Sequence, residues 1–435
     1  MRSSQTTNAS TCEVSLTSQV RFCTRFHGVG HVLTVIPGGA ADAQDPLLDL
    51  ESLKRDVANF KSLGINTIRI YTIDNSKNHD EGMKMLDDAG IYLALDANTP
   101  KYSLNRENEA TLRRSYNDVY LQNVFATIDA FADYSNLLLF FSGNEVINEK
   151  NNTNAAPYIK AVTRDMKQYI SNRKGRKIPV GYSAADVAEN IEEQALYFNC
   201  GSDDARSDFF ALNDYSWCDP SSFEEAGWDK KVETYGNYSI PLFLSEYGCI
   251  TNTRQWGEIS ALYSTKMTGV YSGGLAYEYT VEPNGYGIVK IENGKITPNE
   301  DFDRLKAAFA KTKNPTGSGG FRENGSASKC PEESDDWAVS PQGLPAMPRR
   351  ASAFMSSGAG TGKGLAGSGS HFAGEASSGT ASAGSGEPTR TPNGDTAAGS
   401  STAGNTEGAA AGLVAPVRLV GAVVASVLFG AVFVL

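Results

Sequence analysis

Up to about residue 315 the chain alternates between two hydrophobic periods. Stretches with apolar residues three or four apart, such as "LESLKRDVANFKSLG" (50–64) and "AAPYIKAVTRDMKQYISNRKG" (155–175), predict amphipathic helices. Between the helices lie short β-branched or aromatic runs, each ending in a polar tip. They are "INTIRIYTID" (65–74), "IYLALDANTP" (91–100), "LLLFFSGNE" (137–145), "KIPVGYSAAD" (177–186), "DFFALNDYSW" (208–217), "IPLFLSEYG" (240–248) and "GGLAYEYT" (273–280). Near-continuous apolar strands that alternate with helices predict a parallel sheet covered on its faces. With an eighth strand expected near "HVLTVI" (31–36), the pattern predicts an α/β fold, a (β/α)8 TIM barrel. No GxGxxG or Walker pattern supports an open doubly wound sheet instead. The polar tips of such a barrel gather at one face, where active sites sit.

Beyond the barrel the rhythm stops. Residues 316–412 are dominated by Gly, Ser, Ala and Thr and predict a disordered, O-glycosylated stalk. An exception is "KCPEESDDWAV", where Cys330 and Trp337 suggest that the start of the stalk is tied back to the barrel. Residues 413–435 end in the apolar "LVGAVVASVLFGAVFVL", preceded by the small residues of "GSSTAGNTEGAAAG". This is the pattern of a glycosylphosphatidylinositol attachment signal, with the attachment residue expected between Ser401 and Asn405. It implies a cell-surface protein anchored to the outer leaflet of the plasma membrane or to the wall. At the other end, residues 1–36 have no apolar h-region. They are read as an atypical segment, either a misassigned exon or a chain whose true start is missing, ahead of a catalytic barrel over 37–315.

Composition narrows the function. A net charge of -11 over 435 residues argues against nucleic acid or anionic lipid as a partner, since both reward basic patches, and favours a neutral or weakly charged substrate. The six cysteines form no CxxC pair, and the four histidines are scattered, so neither a metal nor a cofactor is expected. Disulfides are the simpler reading and imply an oxidising compartment. Sequons at Asn8, Asn151, Asn237 and Asn324 are compatible with secretion.

Two strand tips carry a glutamate, Glu145 in "SGNEV" and Glu246 in "LSEYG". They end the fourth and seventh predicted strands and should face each other across the barrel mouth. Two opposed carboxylates are the equipment of a glycosidase, standing about 5 to 5.5 Å apart when the configuration is retained. Asn144 is placed to hold a sugar 2-hydroxyl. Tyr247, or a tyrosine from another strand end, could hydrogen-bond the nucleophile and keep it ionised. Glu145 must instead be protonated before attack, which asks for a raised pKa.

"GNEV" with "SEYGC", joined by "KRD", "HDE", "DAGIY", "RDMK", "IPVGYS", "YFNCG" and "YSGGLAYEY", resembles the fungal β-1,3-glucanosyltransferases of glycoside hydrolase family 72. The likeness runs from about Pro37 to Val289, and "KCPEESDDW" extends it. It implies that Glu145 is the acid/base and Glu246 the nucleophile. It further implies that Tyr71, Asp96, Asn144, Tyr215 and Tyr277 contact sugar, and that Cys200 pairs with Cys330 and Cys218 with Cys249. The implied partners are β-1,3-glucan donor and acceptor chains, acted on by a monomer. The cysteine-rich carbohydrate-binding module of some members is absent, since only Cys330 lies beyond residue 249.

Two departures stand out. Where the family's first strand carries Tyr and Gln, this chain has Val35 and Ile36, and where the family has a cysteine pair it has Leu53 and Gly82. Cys12 and Cys23 are left over. A β-1,3-glucan hydrolase uses the same two glutamates, and the altered first strand raises the further alternative of a catalytically weak, glucan-binding wall protein.

Overall fold

The computed structural model describes residues 32–35, 44–292, 294–315, 325–340 and 343–381. Eight parallel strands close into a barrel, each hydrogen-bonded to the next in chain order and the first also to the last. In order, the elements are β1 (Val32–Val35), α1 (Leu50–Leu63), β2 (Thr67–Ile70), α2 (Asp80–Asp88), β3 (Tyr92–Asp96), α3 (Glu109–Ser115), α4 (Asp118–Phe131) and β4 (Leu137–Asn144). There follow α5 (Ala156–Arg173), β5 (Val180–Ala185), α6 (Ile191–Phe198), β6 (Phe210–Asn213), α7 (Trp228–Tyr235), β7 (Leu242–Tyr247), α8 (Glu258–Leu262) and β8 (Tyr271–Ala276). A hairpin, β9 (Val289–Glu292) and β10 (Lys295–Pro298), precedes α9 (Glu300–Lys311).

Helix α1 shows how the sequence sets an element. Leu53, Val57, Phe60 and Leu63 recur on one face and are buried, Asp49 caps the first turn by accepting from Ser52 N at 3.1 Å, and Gly64 ends the helix at φ 75°. Inside the barrel Phe141, Phe209 and Phe243 pack with ring centroids 5.4 to 6.2 Å apart, joined by Ala94, Leu139, Ala211 and Leu275. That aromatic plug fills the interior and forms the floor beneath the strand tips.

At the two positions where the family resemblance would place cysteines, Leu53 and Gly82 pack tightly. Leu53 is buried in the core, and a Cβ added at Gly82 would lie 2.4 Å from the Leu47 carbonyl oxygen, so α2 meets that loop backbone at glycine distance. Gly82→Ala should therefore cost about 1–3 kcal/mol through overpacking. Urea unfolding followed by tryptophan fluorescence reads this directly, and an unaltered midpoint would count against the close approach.

The eighth strand expected near 31–36 is β1, whose backbone pairs with β2 and β8, so the barrel starts no later than Val32 and not at 37. Ile36 and the cysteines at 12 and 23 lie outside the described residues. A difference from the sequence reading concerns residues assigned to the stalk. Residues 325–340 and 343–381 form a strap packed on the barrel's helices.

The predicted Cys200–Cys330 bridge is present and fastens the strap, as is Cys218–Cys249. Trp337 is fully buried against Tyr197, with ring centroids 5.4 Å apart. Further on, Gln122 Nε2 donates to Ala359 O at 2.9 Å, and Gly364 N donates to Asn75 Oδ1 at 3.0 Å. Leu344–Pro345 pairs antiparallel with Thr380–Ala381. Small residues here serve close approach: a Cβ at Gly362 would stand 2.0 Å from Asn75 Oδ1. Residues 382–412, the apolar tail and the expected anchor site lie outside the described residues, among which no helix is long and apolar enough to cross a membrane.

Candidate active site

The strand tips meet around one buried cation. Arg69 on β2 is fully buried, and a charge there requires a partner. Asp96, at the end of β3, supplies it in a two-pronged pair: Nε to Oδ2 at 2.8 Å and Nη2 to Oδ1 at 3.0 Å. The guanidinium lies over the rings of Tyr71 and Phe141, 4.2 and 4.1 Å from their centroids. Its remaining donors reach Asn144 Oδ1 at 3.0 Å and Glu246 Oε1 at 3.4 Å. Both oxygens of Asp96, expected on sugar, are thus engaged with Arg69.

Glu246 ends β7 and is held on both oxygens. Tyr71 Oη donates to Oε1 at 2.5 Å and Tyr215 Oη to Oε2 at 2.7 Å. Tyr247 does not take part; its hydroxyl is buried and unpartnered among the described residues, and two tyrosines from other strand ends do the task. Burial, followed by the nearby charge of Glu145, pushes the Glu246 carboxyl up to about 7, against the opposing pull of Arg69 and the two phenols. Glu246 therefore gains its charge close to neutral pH. Tyr71→Phe removes a donor that favours the ionised form, so the acidic limb of the pH–rate profile should move up by about one pH unit. A limb that stays in place would remove Tyr71 from this role.

Glu145 follows β4 in a left-handed backbone conformation, φ 46°. For a glutamate such a conformation costs about 1–3 kcal/mol and persists only where neighbours impose it. Its N–H donates to Ser183 O at 2.9 Å, and its carbonyl accepts from Arg106 Nη1 at 2.6 Å. The carboxyl then meets Asn213 Nδ2 at 2.7 Å.

Asn144 is oriented by its surroundings. Its Oδ1 accepts from Arg69 Nη2, Ser183 Oγ at 2.8 Å and Asn213 Nδ2 at 3.2 Å, which fixes the amide and leaves Nδ2 without a protein acceptor among the described residues. That amide is free to donate to a ligand hydroxyl. Beside Glu246, Tyr215, Tyr277 and Tyr286 form a cluster with centroids 5.2 to 6.1 Å apart. Arg254 pins two of them through the carbonyls of Tyr277 and Tyr286, at 2.8 and 2.6 Å.

A cavity of about 240 Å³ is lined by Tyr71, Asp96, Asn98, Pro100, Ser103 and Asn144 among others. All five expected sugar-contacting residues therefore lie at the mouth. The pattern of the sequence did not point to Arg69, Ser183, Asn213 or Tyr286. Among the described residues no cluster of His, Cys, Asp and Glu could hold a metal ion.

A (β/α)8 barrel with glutamates at the ends of β4 and β7, in a mouth of tyrosines and amides, defines a two-carboxylate carbohydrate-active enzyme. A glucanosyltransferase family model, glycoside hydrolase family 72, matches residues 24–313, and the chain belongs to that family. It is similar to the 1,3-beta-glucanosyltransferase gel1 of Aspergillus fumigatus, with 60% identity over 332 residues, 76% of this chain and 73% of that one. With the 1,3-beta-glucanosyltransferase GAS5 of Saccharomyces cerevisiae it shares 53% identity over 336 residues, 76% of this chain and 69% of that one. Saccharomyces cerevisiae Gas2p, solved in complex with laminaritetraose and laminaripentaose, superposes with a TM-score of 0.67 at 38% identity, covering 75% of this chain and 72% of that one.

Proposed function

We propose that the protein is a retaining β-1,3-glucanosyltransferase that cuts a β-1,3-glucan internally and passes the new end to a second glucan, remodelling the fungal cell wall. The observation that carries this reading is Glu246, held between the hydroxyls of Tyr71 and Tyr215 in the same mouth as Glu145. Glu246 attacks the anomeric carbon. The glycosidic C–O bond breaks as its oxygen takes the proton of Glu145, leaving a glycosyl ester on Glu246. Glu145, now a carboxylate, accepts the proton of an acceptor hydroxyl. That oxygen displaces Glu246 and forms the new glycosidic bond.

Asn144 Nδ2 donates to the 2-hydroxyl at the reacting sugar, and the Tyr215, Tyr277 and Tyr286 cluster offers faces on which acceptor pyranoses pack. Asp96 acts through Arg69. The enzyme works as a monomer at the cell surface, anchored through a glycosylphosphatidylinositol group attached near Ser401–Asn405.

Incubation of the full chain with reduced laminarin oligosaccharides, followed by sizing, tests the reading. Products longer than the donor are expected. Shorter products alone would mark a hydrolase, and none at all would favour a glucan-binding wall protein.

A further inference from the structure

The strap carries one side chain for which folding gives no reason. Phe372 is 63% exposed, against 47% or less for the other exposed large hydrophobic residues among those described. Its segment is rigidly held. Before it, Ser370 N donates to Lys101 O at 2.9 Å and Ser370 O accepts from Asn117 Nδ2 at 2.7 Å. After it, Glu375 O accepts from Asp118 N at 3.1 Å and Ser377 N donates to Tyr116 O at 3.1 Å. The ring is thus presented from a turn that is fixed on both sides. The Arg114 guanidinium carbon lies 5.7 Å from its centroid, leaving the exposed part of the ring to solvent.

The residue before Phe372 is tied to the lining of the mouth's cavity. His371 Nε2 lies 3.0 Å from Ser103 Oγ, and Ser103 lines the same cavity as Tyr71 and Asn144. A glucan chain that extends past Ser103 toward His371 would come within reach of Phe372. Apolar faces of β-linked glucose stack on aromatic rings, and a ring already fixed in place loses little entropy when it is covered.

We infer that Phe372 is a distal stacking platform, contributed by the strap, for the part of a β-1,3-glucan chain that extends beyond the cavity past Ser103. The inference rests on the proposed reading for the identity of the polysaccharide, and it extends the binding site beyond the barrel. It gives the strap a purpose besides covering helices: the segment tied down by Cys200–Cys330 lengthens the cleft.

Affinity electrophoresis of the full chain in gels containing laminarin tests this without requiring turnover. Phe372→Ala should raise the dissociation constant for laminarin about fivefold to tenfold, the worth of one stacked ring. Phe372→Trp should restore retardation, and thermal melting should show both variants folded, because the ring is largely in solvent.

Equal retardation of wild type and Phe372→Ala overturns the inference, as does a loss that Trp fails to restore. Binding of Phe372→Ala to laminarin at full strength, coupled with lost sedimentation on phosphatidylcholine vesicles, would make the ring a lipid contact and also overturn it. A wild-type chain that is retarded through Phe372 yet yields no transfer products supports the platform while defeating the proposed activity.

Discussion

Glu246→Gln is expected to lower kcat by about four orders of magnitude or more, because no other group can form the glycosyl ester and the loss of a nucleophile is of this size in other covalent enzymes. The fold should survive. Burial and Glu145 push Glu246 up to about 7, so the native state binds a proton more tightly than the unfolded chain does. Between its ordinary carboxylate range and about 7, a rise in pH therefore drains stability as the buried group is forced to ionise. An amide carries no such cost. The variant should melt above wild type at pH 8, and the gain should vanish at pH 4, where both states of the wild-type carboxyl are protonated. A variant that is dead and also less stable at pH 8 would point to a structural role. One that turns over laminarin oligosaccharides at wild-type rates would remove Glu246 from the mechanism.

The two acids were legible because each closes an apolar run that can only be a buried strand, and an acid in that position needs a reason. Asn144 was legible as the residue before Glu145 at the tip of β4, whereas Tyr71, Tyr215 and Tyr277, at the ends of β2, β6 and β8, were singled out only through the family resemblance. Arg69 escaped. In "INTIRIY" it looks like the solvent side of an alternating strand, whereas a barrel strand has no solvent side. Asking where its charge would be paired would have led to Asp96 on the neighbouring strand. Asn213 was hidden for another reason: its amide matters through Glu145 and Asn144, which lie two strands away in the order of the barrel.

The strap was misread because hydrophobic periodicity is the wrong instrument for it. Backbone groups and buried side chains of the barrel hold it through hydrogen bonds, as at Asn75, Asn117 and Gln122, and its glycines permit contact that a larger residue would block. A Gly/Ser/Ala-rich composition signals too little apolar surface for an independent core. It does not exclude adding a layer to a core that already exists. Only Trp337 and Cys330 gave that away in the sequence, and both lie at the start of the segment.

Glu145→Gln should cost about 10²- to 10⁴-fold in kcat on laminarin oligosaccharides, the usual worth of a positioned general acid. The loss should depend on the leaving group. A glucoside with a nitrophenolate leaving group needs no proton, so formation of the glycosyl ester from it should be nearly as fast in the variant as in wild type. Breakdown of the ester still needs a base to accept the incoming hydroxyl's proton. The variant should therefore release a rapid burst of nitrophenolate and then stall. Azide, which needs no deprotonation, should restart turnover.

The same variant makes a prediction about pH. Glu145 is the second cause, after burial, of the raised Glu246 pKa, so its neutralisation should shift the acidic limb of the burst rate to lower pH. Absence of a burst would mean that Glu145 has some task other than protonating the leaving oxygen. A burst whose acidic limb stays near pH 7 would mean that burial, rather than the paired carboxylate, sets the nucleophile's charge.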